Sequence, residues 1–463
     1  MSTAPLLFTI TPHRELFPAN STEQKLFLML KLQPSREVAA TRPSTTFAFL
    51  IDTSGSMFEV VSGDSQPTGE QAMVDGNLYN LVSGGKTKIY IVMESLQGLI
   101  RSGRLNQNDR VSIIQFDDTA STLIGLTPAT QTSQIEAAID RLKEFSGGTS
   151  ISLGLKQALN ILAGQTMTNR RALIFTDGQT SDEFECEELA KQFAQVGIPI
   201  TALGIGDYNE DLLLTLTDTT GGMPYHVVPG AASGSQVTID QLPDKLIGEF
   251  GEAQQEVITN LKMSLSTVKG VKLSRIIRVY PTNTEFPVTQ APYPVGNVAG
   301  DDETIFVLEF AIETRVPGRV RIAQLSLTYD IPGMNRRGEI SPQNLLVEFV
   351  AGQIAAQVDQ EVMGYVQQAN ISQLVDQASK VADQNPDQAN ELLEKARRMT
   401  VKLGNTAMTE SLEGAQDELR KTRKLSPDSR KTVKMGSKGK TVKMNDGPSD
   451  GLTEEQIRKM SGT

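Results

Sequence analysis

The 463-residue chain has one cysteine, two histidines, no tryptophan and no long apolar run. A lone Cys186 excludes an internal disulfide and a cysteine-built zinc site, because each needs at least two thiols. His13 and His226 fall in apolar strand-like stretches, where core or edge positions are the ordinary reading, so imidazole catalysis has little to draw on. The opening MSTAPLLFTITPHRELF has no basic region before its apolar residues, and no clean apolar run is longer than the five residues of Phe47 to Ile51. Neither suits a signal peptide or a spanning helix, so the expectation is a cytoplasmic protein without a membrane partner. The sequons at Asn20 and Asn370 would then stay unmodified.

Acids outnumber bases 55 to 44, a net charge of −11, which argues against a protein built to hold nucleic acid. The charge is uneven. Arg420 to Lys443 contains ten basic residues and one acid, Asp428. No aromatic residue lies between 420 and 463 to stack on bases, so a specific nucleic-acid partner is not expected there.

The length suits about three units. Residues 1–40 hold two strand-like runs, PLLFTI and KLFLMLKL. Over 44–230, short continuous apolar strands (FAFLID, RVSIIQF, RALIFTD, PITALGIG, MPYHVV) alternate with amphipathic helical stretches. That pattern predicts a doubly wound α/β domain whose parallel sheet is covered on both faces. Residues 255–352 alternate at period two between Gly/Pro turns and predict an antiparallel β-sandwich. The N-terminal strands are expected to join it, with the α/β domain inserted. From 355 to 424 the period becomes 3.6, predicting a helical hairpin or bundle, with Asn385-Pro386 starting one helix and Gly404 ending it. The basic stretch 425–463 is poor in apolar residues and is expected to be disordered.

The chemistry-bearing motif stands where the first α/β strand ends, at Asp52-Thr53-Ser54-Gly55-Ser56. Open α/β sheets place ligands at the carboxyl ends of their strands. Oxygen side chains at alternate turn positions can converge on one hard cation if other loops complete the shell. Gly147-Gly148-Thr149-Ser150 and Thr176-Asp177-Gly178 are suitably placed loops. In order and spacing, these three segments resemble the metal-ion-dependent adhesion site of von Willebrand factor A domains. The resemblance spans about 44–230 and implies a magnesium ion, with manganese or calcium as substitutes, held by Asp52, Ser54, Ser56, Thr149 and Asp177. It also implies a protein partner that offers an aspartate or glutamate to the metal.

Two features add to this reading. Residues 58–87 form an insertion directly after the serines, and its acids Glu59, Asp64, Glu70 and Asp75 are candidates for the open position. The pentapeptide Lys-Thr-Val-Lys-Met occurs twice, at 431–435 and 440–444. Thr432 and Thr441 resemble kinase sites read by forkhead-associated domains, which implies a serine/threonine kinase and such a domain as partners. A solvated basic tail is the plain alternative.

The resemblance therefore implies a metal-dependent interaction module or scaffold, and an enzyme is not expected. A magnesium-dependent hydrolase using the same site is the alternative, and it would need a general base from the insertion. An extracellular adhesin is a third reading, disfavoured by the N-terminus. The segment LVSGGKTK lacks the first glycine and the preceding strand of a phosphate loop.

Overall fold

Every residue of the strand Thr45–Asp52 is buried, because its two faces feed two different cores. Phe47, Phe49 and Ile51 enter one, Ala48 and Leu50 the other. A strand covered on both sides has no solvent face to be polar, which is why this one reads as an unbroken apolar run. The computed structural model describes residues 4–21, 24–74, 77–230, 232–352 and 358–444.

Seven strands lie in the order Ala120–Pro128, Arg110–Phe116, Thr45–Asp52, Asn169–Thr176, Ile200–Ile205, Pro224–Val228, Val237–Thr238. All neighbours are parallel except the first pair, which is antiparallel and makes the sheet mixed. Helices Lys88–Arg101, Thr132–Asp140 and Leu242–Gln255 pack on one face. Ile151–Leu162, Glu183–Gln195 and Glu210–Thr220 pack on the other. This is the doubly wound α/β domain.

Two further sheets flank it in sequence. One has the order Leu6–Pro12, Gln24–Pro34, Thr304–Ile312, Val271–Tyr280, Thr284–Phe286. The other runs Tyr293–Pro294, Glu256–Thr267, Gly318–Ile331, Arg336–Val350, Leu16–Pro18, with Val298–Ala299 added on Glu256–Thr267. Their inner residues, Leu26, Leu28, Leu261, Phe306, Leu325 and Phe349 among them, share one core. Gln24–Pro34 and Thr304–Ile312 pair antiparallel across the whole α/β domain in sequence, Leu28 opposite Leu308. The outer residues Phe27, Met29, Val279 and Val307 meet Val362, Tyr365 and Val366 of helix Gln360–Val381.

Helices Pro386–Leu403 and Thr406–Thr422 follow. Asn385 caps the first through Gln388 N, and Gly404, at φ 74°, ends it in the left-handed region that glycine adopts without penalty.

The tail departs from expectation. Composition predicts disorder from 425, yet 425–444 is folded against the body. Ser426 caps helix Pro427–Gly436, with proline in the first turn. Val433 enters the helical core and Met435 the α/β core. Each lysine finds an acceptor: Lys431 on Gly206 O at 2.8 Å and Asp207 at 3.2 Å, and Lys434 on Asp211. Lys438 reaches Asp218 at 2.7 Å, Lys440 reaches Glu252 at 2.5 Å, and Lys443 reaches Asp302 at 2.6 Å. Few apolar residues suffice here because complementary charge from distant parts of the chain completes the docking. Residues 445–463 of the expected tail, and Asp75 of the insertion, lie outside the described residues.

Candidate functional site

At the carboxyl end of the central strand the chain turns through Asp52-Thr53-Ser54 into a short helical turn, Gly55–Phe58. Asp52 is fully buried and both its oxygens are used: Oδ1 accepts from Ser54 N at 2.8 Å, Oδ2 from the Thr176 hydroxyl at 2.6 Å. The Ser54 and Ser56 hydroxyl oxygens are 3.2 Å apart, and Ser56 Oγ donates to Asp177 Oδ1 at 2.7 Å. Gly55 N donates to Gly147 O at 3.0 Å, which ties this loop to the Gly-Gly-Thr-Ser loop. Thr149 faces the Asp177 turn, since a Cβ placed on Gly178 would lie 2.9 Å from its Oγ1. The three segments singled out in the sequence therefore meet at one edge of the sheet. Hydrogen bonds link Asp52, Ser54, Ser56 and Asp177, and Thr149 lies alongside.

Burial, and after it the Asp177 charge, push the Asp52 carboxyl up to about 7. Asp177 is raised as well, since burial outweighs the lowering effect of Lys88. Two buried carboxylates at one edge form a site short of positive charge. As a donor set, Asp52, Ser54, Ser56, Thr149 and Asp177 fit a hard cation, for all their side-chain donors are oxygens. Among the described residues no group of three or more His, Cys, Asp or Glu side chains could hold a metal ion, so a cation here depends on the hydroxyls.

Residues that the sequence reading missed complete the surroundings. Thr53 donates to Phe116 O at 3.2 Å and to Asp117 Oδ2 at 3.4 Å. Asp118 Oδ2 accepts from Gly148 N at 2.8 Å. Most consequential is Lys88, whose ammonium lies 2.6 Å from Asp177 Oδ2, 2.7 Å from Glu59 Oε2 and 3.3 Å from Ser56 O. Only its late position, beyond a thirty-residue insertion, concealed it. Of the insertion's acids, Glu59 reaches the site through Lys88. The strands Gln66–Val74 and Asn77–Ser83 pair as an exposed hairpin, and Val60–Ser62 pairs with Lys86–Thr87 at its base.

Thr432 and Thr441 lie elsewhere. Thr432 is 6% exposed, donates to Asp428 O at 2.8 Å and accepts from Gln236 Nε2 at 2.9 Å. Thr441 donates to Val279 O at 2.7 Å. The flexible setting expected for both is thus corrected. His226 is buried between Tyr208 Oη and Asp428 Oδ1, each at 2.8 Å, and locks the docked segment. His13 accepts from Phe27 N, and burial, then Arg14, lower it to about 3, so it is a neutral core histidine.

Comparison with known proteins agrees with the fold of this domain. Residues 47–235 match the von Willebrand factor type A domain, and residues 360–443 match the Sll0103-like, C-terminal alpha-helical domain. The second match runs through the docked lysines. An uncharacterized protein of Synechocystis, sll0103, is 26% identical over 265 residues, which is 54% of this chain and 59% of that protein. YfbK of Escherichia coli is 24% identical over 256 residues, 53% of this chain and 39% of that one. The chain thus matches between two fifths and three fifths of these relatives' length.

Among solved structures, a von Willebrand factor type A protein from Catenulispora acidiphila has a TM-score of 0.71 at 15% identity, covering 94% of this chain and 97% of that one. The ArnB paralog VWA2 from Sulfolobus acidocaldarius has a TM-score of 0.59 at 17% identity, covering 94% and 100%. At such identities the likeness shows the fold. Proteins with this domain generally mediate protein interactions, and the domain often uses a divalent metal at its adhesion site. No helix among the described residues is long and apolar enough to cross a membrane.

Proposed function

We propose that the protein is a metal-dependent interaction module or scaffold of the cytoplasm. Asp52, Ser54, Ser56, Thr149 and Asp177 would hold magnesium, or manganese or calcium in its place. When bound, the cation supplies an electrophilic position that a partner's aspartate or glutamate can fill. The chain's own part is to present that position at a rigid sheet edge. Asp52 orients Ser54 through its backbone amide, and Ser56 is fixed by Asp177. The observation that carries this reading is the convergence of three separate loops that bring five oxygen-bearing side chains together.

The hydrolase reading requires a base from the insertion beside the site. Glu59 does approach, but Lys88 engages its Oε2 at 2.7 Å, which holds that carboxylate as an ion pair and favours binding over proton transfer. The threonine pair would add regulation. A serine/threonine kinase could act on Thr432 or Thr441 only in the undocked segment, and a forkhead-associated domain would read the product.

Capture from source-cell lysate tests the reading. Partners should bind the wild-type chain with magnesium and be lost with EDTA or in Asp52→Ala. Ser54→Ala, which leaves the buried carboxylate in place, should lose them too while melting like the wild type. An identical bound set under all four conditions would overturn it.

A further inference from the structure

Lys88 breaks a local rule. It is the first residue of helix Lys88–Arg101, behind the Thr87 cap, where the helix dipole disfavours a cation. Its side chain is only 8% exposed, and the Asp177 side chain it meets is fully buried. Burying an ion pair is weak as a source of stability, since desolvation offsets most of the attraction. A costly placement at a candidate site calls for a role in that site.

The geometry supplies one. The two oxygens of Asp177 face different cations' worth of space. Oδ2 takes the ammonium at 2.6 Å, while Oδ1 is turned to Ser56 Oγ at 2.7 Å and so toward the hydroxyl cluster. Ser56 O, at 3.3 Å, accepts from the same ammonium, so Lys88 grips the serine loop as well as the Asp177 turn. Glu59 closes the third side at 2.7 Å. On a fourth, a Cβ on Gly206 would lie 3.6 Å from Nζ, so that turn is a near neighbour of the ammonium as well.

We infer that Lys88 is a built-in counter-cation that holds the metal affinity of the Asp52 cluster down and keeps its electrophilic position available to an anionic ligand. This deepens the proposed function and rests on it. A fixed positive charge beside the cluster opposes a divalent ion and favours a carboxylate approaching it. Lys88 is a positioning residue, acting through Asp177.

The sign of the effect separates this role from a structural one. Magnesium and manganese titrations of the full chain by calorimetry would compare wild type, Lys88→Met and Lys88→Arg, with Asp52→Ala as the blank. Lys88→Met should bind either ion roughly tenfold tighter and Lys88→Arg within about twofold of wild type, because only the first removes a charge at short range. Glu59→Gln removes an anion from the same cluster and should move the affinity the opposite way, by about threefold.

If Lys88 only props up the fold, Lys88→Met will bind equally or more weakly and melt lower, which overturns the inference while leaving the metal site standing. Binding in Lys88→Met but not in wild type supports it in stronger form. No heat from any variant overturns the metal reading itself, and this inference with it.

Discussion

Two segments look dispensable beside the packed domains, and they behave in opposite ways. The insertion after the serine loop, residues 58–87, carries four acids and one lysine; the segment 425–444 is strongly basic. The first forms a hairpin whose Met73 is 68% exposed, with Val60–Ser62 paired to Lys86–Thr87 at its base. The second lies down along the body, with Lys431 and Lys434 buried. Neither has many apolar residues, so hydrophobic content does not separate them. Charge does. The rest of the chain is acidic, and an acidic insertion finds few partners there, whereas each spaced lysine finds a carboxylate. Disorder inferred from composition assumes a segment must bury apolar area of its own; a complementary surface elsewhere in the chain removes that requirement.

Removing the docked segment should give the largest effect. A chain ending at Leu425 loses Val433 from the helical core, Met435 from the α/β core and the His226–Asp428 bond together. Its melting temperature should fall by several degrees and proteases should open the helices. The single change Met435→Ala should already cost about 2–5 kcal/mol, the usual range for truncating a buried methionine. A truncated chain that melts like the parent would mean that the segment only rests on the surface.

The two copies of the pentapeptide sharpen the contrast within the segment. Glutamate at Thr432 puts a carboxylate into a buried slot beside Asp428, with Gln236 as its nearest donor. The half-buried Thr441 meets the carbonyl of Val279. Thr432→Glu should therefore destabilise docking by about 3 kcal/mol and Thr441→Glu by about 1 kcal/mol, the penalties of an unpaired charge scaling with burial. Hydrogen exchange along 427–444 would report both. Equal protection in the two variants and the wild type would show that a phosphate can be accommodated without release, and would remove the switch from the proposed regulation.

How much of this was legible follows the same line. The α/β strands were readable because a doubly covered strand such as Phe47–Ile51 has to be apolar throughout, and the C-terminal helices because their caps, Asn385 and Gly404, are local signals. Asp52, Ser54, Ser56, Thr149 and Asp177 stood out because three short segments at or after strand ends resemble, in order and spacing, the adhesion site of von Willebrand factor A domains. What escaped were the ion pairs made with partners far away in sequence. Lys88 meets Asp177 across 89 positions and Lys431 meets Asp207 across 224. No local period marks such pairs, since their cause is the topology that brings two edges together.

The smallest effect should come from the hairpin. Its strands bond mainly to each other, as between Gln71 and Asn80 at 2.9 Å. The contacts that reach the site, Glu59 with Lys88 and Val60–Ser62 with Lys86–Thr87, lie below it. Replacing residues 64–84 with a short glycine-serine link keeps those contacts. A surface loop that buries little contributes little, because closing a shorter loop changes the entropy by only a fraction of a kcal/mol per halving of length. The shortened chain should melt within about 2 °C of the parent and bind magnesium with unchanged affinity, while the set of captured partners changes if the hairpin contacts them. A large fall in melting temperature would instead place the insertion with the basic segment, as a second strap, and charge complementarity would no longer separate the two.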